Sequence, residues 1–371
     1  MIDNLNIKKL GFGLMRLPKN ESGYDFAELN KMVDAFMSKG FTYFDTAYVY
    51  DDGGSEEAFK KSVAQRYPRD SYLLADKMPV WCCETREDLE RIFNTSLERT
   101  GAGYFDFYLN HSLSKSKLEK IDELGVFEFI QKKKEQGFIK HAGFSFHDSA
   151  EVLDEILTKH PEQEFVQLQI NYYDWLSDNV QSKKCYDVAR KHGKPVIIME
   201  PVRGGSLAVL PDKAREILLE AEPEMSIASW ALRFASSLDG VITVLSGMSD
   251  LSQMTDNLSF MDSQKEFTEK EFKKVMDVAD ILNKIPTVPC TSCGYCLEGC
   301  PMNIKINKMF SVYNNYLKYN NKFKTRYEYG EVVNSGSGEA GDCIDCGACA
   351  SVCPQHIEIP EKLKEFKESV I

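Results

Sequence analysis

No apolar run in the sequence approaches the roughly 18 residues that suggest a membrane span, so no membrane partner is expected. The first residues, MIDNLNIKKLGFG, have no basic head followed by an apolar core. No secretion signal is read there, and a cytoplasmic location is the expectation. Basic residues are in deficit: 45 Lys and Arg stand against 57 Asp and Glu, a formal charge of −12. From Pro286 onward nine basic residues face ten acidic ones, so the acidic excess lies upstream. An acidic chain without a long basic run excludes nucleic acid as an expected partner. The short run Lys132–Lys134 falls in a predicted helix and reads as a solvated face.

Also missing is a phosphate-binding glycine loop after the first apolar run, which an open doubly wound sheet would need. The one literal G-x-G-x-x-G, Gly336 to Gly341, follows a polar stretch and precedes cysteines, so no helix can open from it. Residues 10 to 260 do contain eight short apolar runs that read as strands: 10–17, 41–46, 71–77, 105–111, 141–146, 165–171, 195–201 and 240–247. Amphipathic stretches separate them. In DFAELNKMVDAFMSKG the apolar Phe26, Leu29, Val33, Phe36 and Met37 recur at helical spacing, and Gly40 stands where a helix stops. Eight strands alternating with helices over about 250 residues predict an α/β fold, a (β/α)8 TIM barrel.

Eight of the eleven cysteines fall in two matched runs, CTSCGYCLEGCP at 290–301 and CIDCGACASVCP at 343–354. Zinc sites use one or two Cys-x2-Cys pairs, so the doubled C-x2-C-x2-C-x3-C-P pattern points to two [4Fe–4S] clusters. KIPTVP, residues 284–289, reads as a stiff linker. The expected division is therefore a barrel over 1–285 and a small, mainly helical, ferredoxin-like two-cluster domain over 286–371. In the tail, Met309, Tyr313, Tyr316 and Leu317 share one helical face, and 330–342 reads as a loop. Cys82 and Cys83 lie on a loop just past Lys77 and read as small apolar fillers, the alternative being that they line a substrate pocket or react with an electrophile; Cys185 has no visible partner.

Function in such a barrel sits at the C-terminal ends of the strands. There the sequence brings Asp45, with Tyr50 in the loop beyond it, then Lys77 and His111, from three consecutive strands. The segments LGFGLMRLP, FTYFDTAYVY, LLADK and FDFYLNH resemble, in order and spacing, the aldo-keto reductases. The resemblance implies a catalytic tetrad of Asp45, Tyr50, Lys77 and His111. Tyr50 would give a proton to a carbonyl oxygen as hydride from NADH or NADPH reaches its carbon. A free tyrosine, with a pKa of about 10, is a weak acid, and the Lys77 ammonium would ease its proton loss. Asp45 would hold Lys77, and His111 would hydrogen-bond the substrate oxygen.

The same resemblance implies nucleotide contacts from Ser145, Gln167, Gly247, Ser249, Gln253, Asp256 and Asn257. It departs from the family at Phe146, where Asn is usual, and at Met199 and Glu200, where a stacking ring is common. Arg203, Gly204 and Gly205 could offer donors to a pyrophosphate or simply form a turn. In two-cluster ferredoxins, which the tail resembles, the fourth cysteine of each run serves the other cluster. That pairing implies Cys290, Cys293, Cys296 and Cys353 around one cube, and Cys343, Cys346, Cys349 and Cys300 around the other.

The reading is an NAD(P)H-dependent oxidoreductase acting on a carbonyl or related unsaturated small molecule, with clusters that transfer electrons. A ferredoxin or other electron-carrier protein is a candidate partner. The alternative is a redox relay or sensor that binds nucleotide and passes single electrons with little carbonyl turnover.

Overall fold

The computed structural model describes residues 7–262 and 265–370. The chain divides into two compact units, one of residues 1–202 and 218–275, the other of residues 203–217 and 276–371.

Beside a short antiparallel ribbon, Lys19–Asn20 with Gly23–Tyr24, eight strands of the first unit form one sheet: β1 (Leu10–Gly13), β2 (Tyr43–Asp45), β3 (Leu73–Met78), β4 (Phe105–Leu113), β5 (Ile139–Phe146), β6 (Phe165–Gln169), β7 (Val196–Met199) and β8 (Val241–Ser246). All neighbours in this sheet run parallel and follow chain order, and β1 pairs with both β2 and β8 to close a barrel. The predicted (β/α)8 architecture is present. β1 is shorter than its apolar run: at Leu14 the chain leaves the sheet for a 3-10 turn, Leu14–Arg16, and the Ser55 hydroxyl takes the Leu14 carbonyl at 3.0 Å.

The first helix forms where the periodicity places it, over Phe26–Ser38. Asp25 caps it, accepting from the Glu28 N–H, a contact worth roughly 1 kcal/mol. At its far end the Gly40 N–H bonds Met37 O and the Phe41 N–H bonds Phe36 O. That reciprocal pair is a Schellman stop, and Gly40 supplies its left-handed residue with φ of 73°. Leu29, Met32, Val33 and Phe36 are the buried face.

The run Lys132–Lys134 is not a solvated face. Lys133 is buried among Phe93, Phe129 and Phe138 and pairs with Glu90 at 2.5 Å, while Lys134 pairs with Glu164. Only Lys132 stays exposed. The carboxylates that draw in the other two come from distant parts of the chain, which composition within the run does not reveal.

The second unit is helical, with helices over Ile306–Tyr319, Lys322–Asn334 and Ile359–Val370. Met309 and Tyr313 are buried in its core, with Tyr316 and Leu317 packed at the edge, as the helical face predicts. Tyr313 stacks on Phe366 at 4.8 Å. The segment 284–289 is knitted to this unit: Val288 is buried, and the Asn314 side chain both accepts from its N–H and donates to its carbonyl.

Residues 330–342 are not one loop. The helix continues to Asn334, and the rest is fastened by bonds from Asn303 Nδ2 to Gly336 O, from Lys305 N to Ser337 Oγ and from Gly338 N to Asn303 O. Gly338 lies so close to this neighbour that a Cβ there would meet Met302 O at 2.2 Å. The small residues mark close backbone approach here, not a break in structure.

Candidate functional site

Side chains alternate across a strand, so a residue two places beyond an inward-facing one also faces inward. Tyr43, Ala75, Leu109, Phe165 and Ile197 belong to one buried cluster within the barrel. Two residues further along their strands stand Asp45, Lys77, His111, Gln167 and Met199. The same pleat that fills the barrel therefore presents these five side chains together at its C-terminal end.

Lys77 is fully buried and donates to Asp45 Oδ1 at 2.6 Å and to Thr46 O at 2.5 Å. Its ammonium lies 4.7 Å from the centre of the Tyr50 ring. Tyr50 meets His111 edge to face, with ring centres 5.9 Å apart. The four residues thus form one contact chain, Asp45 to Lys77 to Tyr50 to His111. Burial pushes the Asp45 carboxyl above its usual range, while the Lys77 ammonium pulls it back. Burial, then the charges of Lys77 and Lys117, hold His111 well below its ordinary value, so its imidazole is neutral.

The residues expected to touch a nucleotide lie on β5, on β6 and in the segment and helix that follow β8. Ser145 is buried, and its hydroxyl accepts from the Ser112 N–H at 2.7 Å. Gln167 is buried with its Nε2 3.6 Å from Met199 Sδ, and its Oε1 has no hydrogen-bond partner among the described residues. Beyond β8, Asp250 caps the helix Leu251–Met261 and binds the Gln253 N–H. Gln253 folds back onto the Asp250 carboxylate and the Ser249 N–H. Ser249 Oγ donates to Arg16 O, and Asn257 Nδ2 donates to Ser246 Oγ. Asp256, one residue earlier on the same helix, is half-buried, and Gly247 ends the strand beside the Arg16 side chain.

Arg203, Gly204 and Gly205 form a turn in three successive left-handed residues, φ 51°, 63° and 90°. A Cβ on Gly204 would meet Thr291 O at 2.2 Å, so this glycine admits the backbone next to Cys290. These residues belong to the second unit.

In that unit the two cysteine runs adopt one conformation twice. Ser292 and Asp345 have φ of 56° and 57°, Gly294 and Gly347 of 85° and 73°, and Asn303 and His356 of 52° and 51°. Each pair holds matching positions in its run. Two cavities result. One is lined by Cys290, Cys293, Cys296 and Cys353, the other by Cys300, Cys343, Cys346 and Cys349, and Ile306 borders both. Each cavity therefore takes three cysteines from one run and the last cysteine of the other. The Ser292 and Ile304 N–H groups approach Cys290 Sγ and Cys300 Sγ, each at 3.4 Å. Among the described residues no three His, Cys, Asp or Glu side chains converge where one metal ion could sit. Four cysteines line each cavity, a donor set that gives one cysteine to each iron of a cube.

Residues 9–280 match the aldo/keto reductase family. The chain belongs to that family. Residues 289–358 match the 4Fe-4S dicluster domain. A curated relative, an uncharacterized oxidoreductase YqkF of Bacillus subtilis, is 23% identical over 300 residues, spanning 73% of this chain and 92% of the relative. Among solved structures, the holo form of the aldo-keto reductase AKR11C1 from Bacillus halodurans superposes with a TM-score of 0.61 at 23% identity. It covers 74% of this chain and 93% of its own. An aldo-keto reductase from Klebsiella pneumoniae, solved in complex with NADPH, gives 0.60 at 18% identity, covering 74% and 91%. At these identities the structures speak for the fold. No helix among the described residues is long and apolar enough to cross a membrane.

Three side chains that sequence reasoning did not single out stand at the rim of this aldo/keto reductase barrel. Arg16 pairs with Glu200 at 3.0 Å. Trp81 packs against His111 with ring centres 5.0 Å apart. Lys117 lies 4.6 Å from the centre of the Trp81 ring. None belongs to a motif with fixed spacing. Arg16 lay inside what reads as a strand, and an isolated tryptophan or lysine carries no signal until a partner is seen.

Two other cysteine expectations can be placed. Cys83 is buried, and burial pushes its thiol up to about 11. Cys185 is buried with its thiol raised to about 12, near Asp148 O at 3.6 Å. Both have the weak nucleophilicity of packing residues.

Proposed function

We propose that the protein reduces a carbonyl on a small molecule, with hydride from NAD(P)H and a proton from Tyr50, and that its tail holds two [4Fe–4S] clusters for electron transfer. The observation that carries this reading is the buried Lys77–Asp45 pair set against the face of Tyr50. A phenol gives up its proton more readily when a cation stands beside the phenolate it leaves. Asp45 balances the Lys77 charge and fixes the amine in place. His111, kept neutral, can donate one ring N–H to the substrate oxygen without itself taking a proton. When bound, the nicotinamide supplies the hydride that ends on the carbonyl carbon, as the Tyr50 proton ends on its oxygen.

On the nucleotide side, Gln167 Oε1 is a buried acceptor suited to a carboxamide N–H, with Ser145 beside it. Gly247, Ser249, Gln253, Asp256 and Asn257 would face the adenosine end, and Arg16 offers that rim a guanidinium for a phosphate. The Klebsiella pneumoniae barrel bound to NADPH supports NADPH as a first choice to test.

In the tail, Cys290, Cys293, Cys296 and Cys353 would hold one cube, and Cys300, Cys343, Cys346 and Cys349 the other. A cube there supplies one-electron transfer. Cys346 is exposed and Ile344 is 60% exposed, so the edge of the second cavity is open to an outside carrier such as a ferredoxin. That exposure also supports the second reading, a relay that passes single electrons with little carbonyl turnover. Anaerobic reconstitution followed by titration with NADPH and with NADH tests both. A reductase oxidises the nucleotide only when a carbonyl compound is added. A relay bleaches its clusters without one.

A further inference from the structure

Lys117 lies in the first turn of the helix Lys115–Leu124, just after β4. Its ammonium donates to Ser112 O at 2.6 Å and to Ser112 Oγ at 3.0 Å, and lies over Trp81. Ser112 directly follows His111 and adopts φ of 56°, a left-handed conformation uncommon outside glycine. Its N–H is pinned by Ser145 Oγ. The end of β4 therefore presents the imidazole from one residue and a clamp for the amine from the next. Trp81 lies against both.

Among the described residues this cation has no counter-ion. Lys77 faces Asp45, Lys133 faces Glu90 and Lys134 faces Glu164. Among the described residues no carboxylate pairs with Lys117. Burial pushes its ammonium down to about 8, with no acid opposing the shift. An ammonium has three N–H donors, and Ser112 takes two. A half-buried cation of this kind gains more from an arriving anion than one in open water. The expected nucleotide residues stand on β5, on β6 and beyond β8, whereas Lys117 and Trp81 follow β4 and β3 and flank His111.

We propose that Lys117 binds a carboxylate on the substrate, so that the barrel selects aldehydes or ketones that are also acids. The proposal rests on the carbonyl-reductase reading for its turnover arm but not for its binding arm. The binding arm is calorimetric titration of the reconstituted full chain with 4-carboxybenzaldehyde and with benzaldehyde, repeated on Lys117→Gln and Lys117→Arg. The expected result is tighter binding of the acid by the native chain, a loss of about 10- to 100-fold in that preference in Lys117→Gln, and its recovery in Lys117→Arg. Equal binding of the two aldehydes, or a preference that survives in Lys117→Gln, overturns the proposal. In the turnover arm, the ratio of kcat/KM for the acid over the neutral aldehyde should fall by the same factor. A chain that binds the acid through Lys117 yet turns over neither aldehyde contradicts the reductase reading and leaves the anion site standing.

Discussion

Lys77 Nζ and Asp45 Oδ1 meet at 2.6 Å in a site closed to water, on neighbouring strands and 32 residues apart. Removing one partner strands the other charge where burial is costly. Asp45→Asn should therefore destabilise the barrel by about 3–5 kcal/mol, read as a shift in its urea midpoint. Asp45→Asn combined with Lys77→Met removes both charges and should recover much of that loss. A single variant as stable as the native chain would mean that the pair carries no buried charge.

Tyr50→Phe keeps the ring beside Lys77 and deletes the proton. Carbonyl reduction should fall by about 10²- to 10⁴-fold. NADPH affinity, measured by fluorescence titration, should change little because the hydroxyl is assigned to the substrate. Unchanged turnover would remove Tyr50 from the mechanism.

The depressed His111 gives a pH signature. Its folded value lies below the ordinary 6.5, through burial first and the neighbouring cations second. The unfolded chain then binds the proton more readily, so this group's contribution to stability is complete above about pH 6.5 and erodes as the pH falls below it. Unfolding titrations of the native chain and His111→Gln should diverge in slope only on that acid side. A His111 imidazole that titrates near 6.5 by NMR would contradict this.

Much of the barrel site was legible because two regularities converge: strands alternate their faces, and strand ends carry the chemistry in such barrels. Asp45, Lys77 and His111 obey both. The burial of Lys133 is not legible in the sequence because its partner, Glu90, lies 43 residues away, and a lysine run by itself resembles a solvated face. Residues 330–342 looked like a loop because Gly338 signals flexibility in a sequence but close packing in the fold. Trp81 and Lys117 were invisible for a related reason: their meaning lies in each other and in His111.

The exchange of final cysteines between the cavities makes a specific prediction. Cys353→Ser should damage the same cluster as Cys290→Ser, and Cys300→Ser the same cluster as Cys343→Ser. Iron and sulfide analysis with electron paramagnetic resonance would show matched spectra within each pair. Matching spectra for Cys353→Ser and Cys343→Ser would reverse the assignment.

The central claim is hydride transfer from nicotinamide to a carbonyl with Tyr50 as the proton donor. Single turnover of the anaerobic, reconstituted protein with NADPH deuterated at C4 and 4-carboxybenzaldehyde, with the alcohol product examined by mass spectrometry, tests it most directly. Use of each C4 position in turn allows for either face of transfer. Deuterium is expected on the alcohol carbon, in step with nucleotide oxidation, from one of the two labelled cofactors, with almost no alcohol from Tyr50→Phe. Nucleotide oxidised with bleached clusters and no labelled alcohol from either cofactor would contradict it.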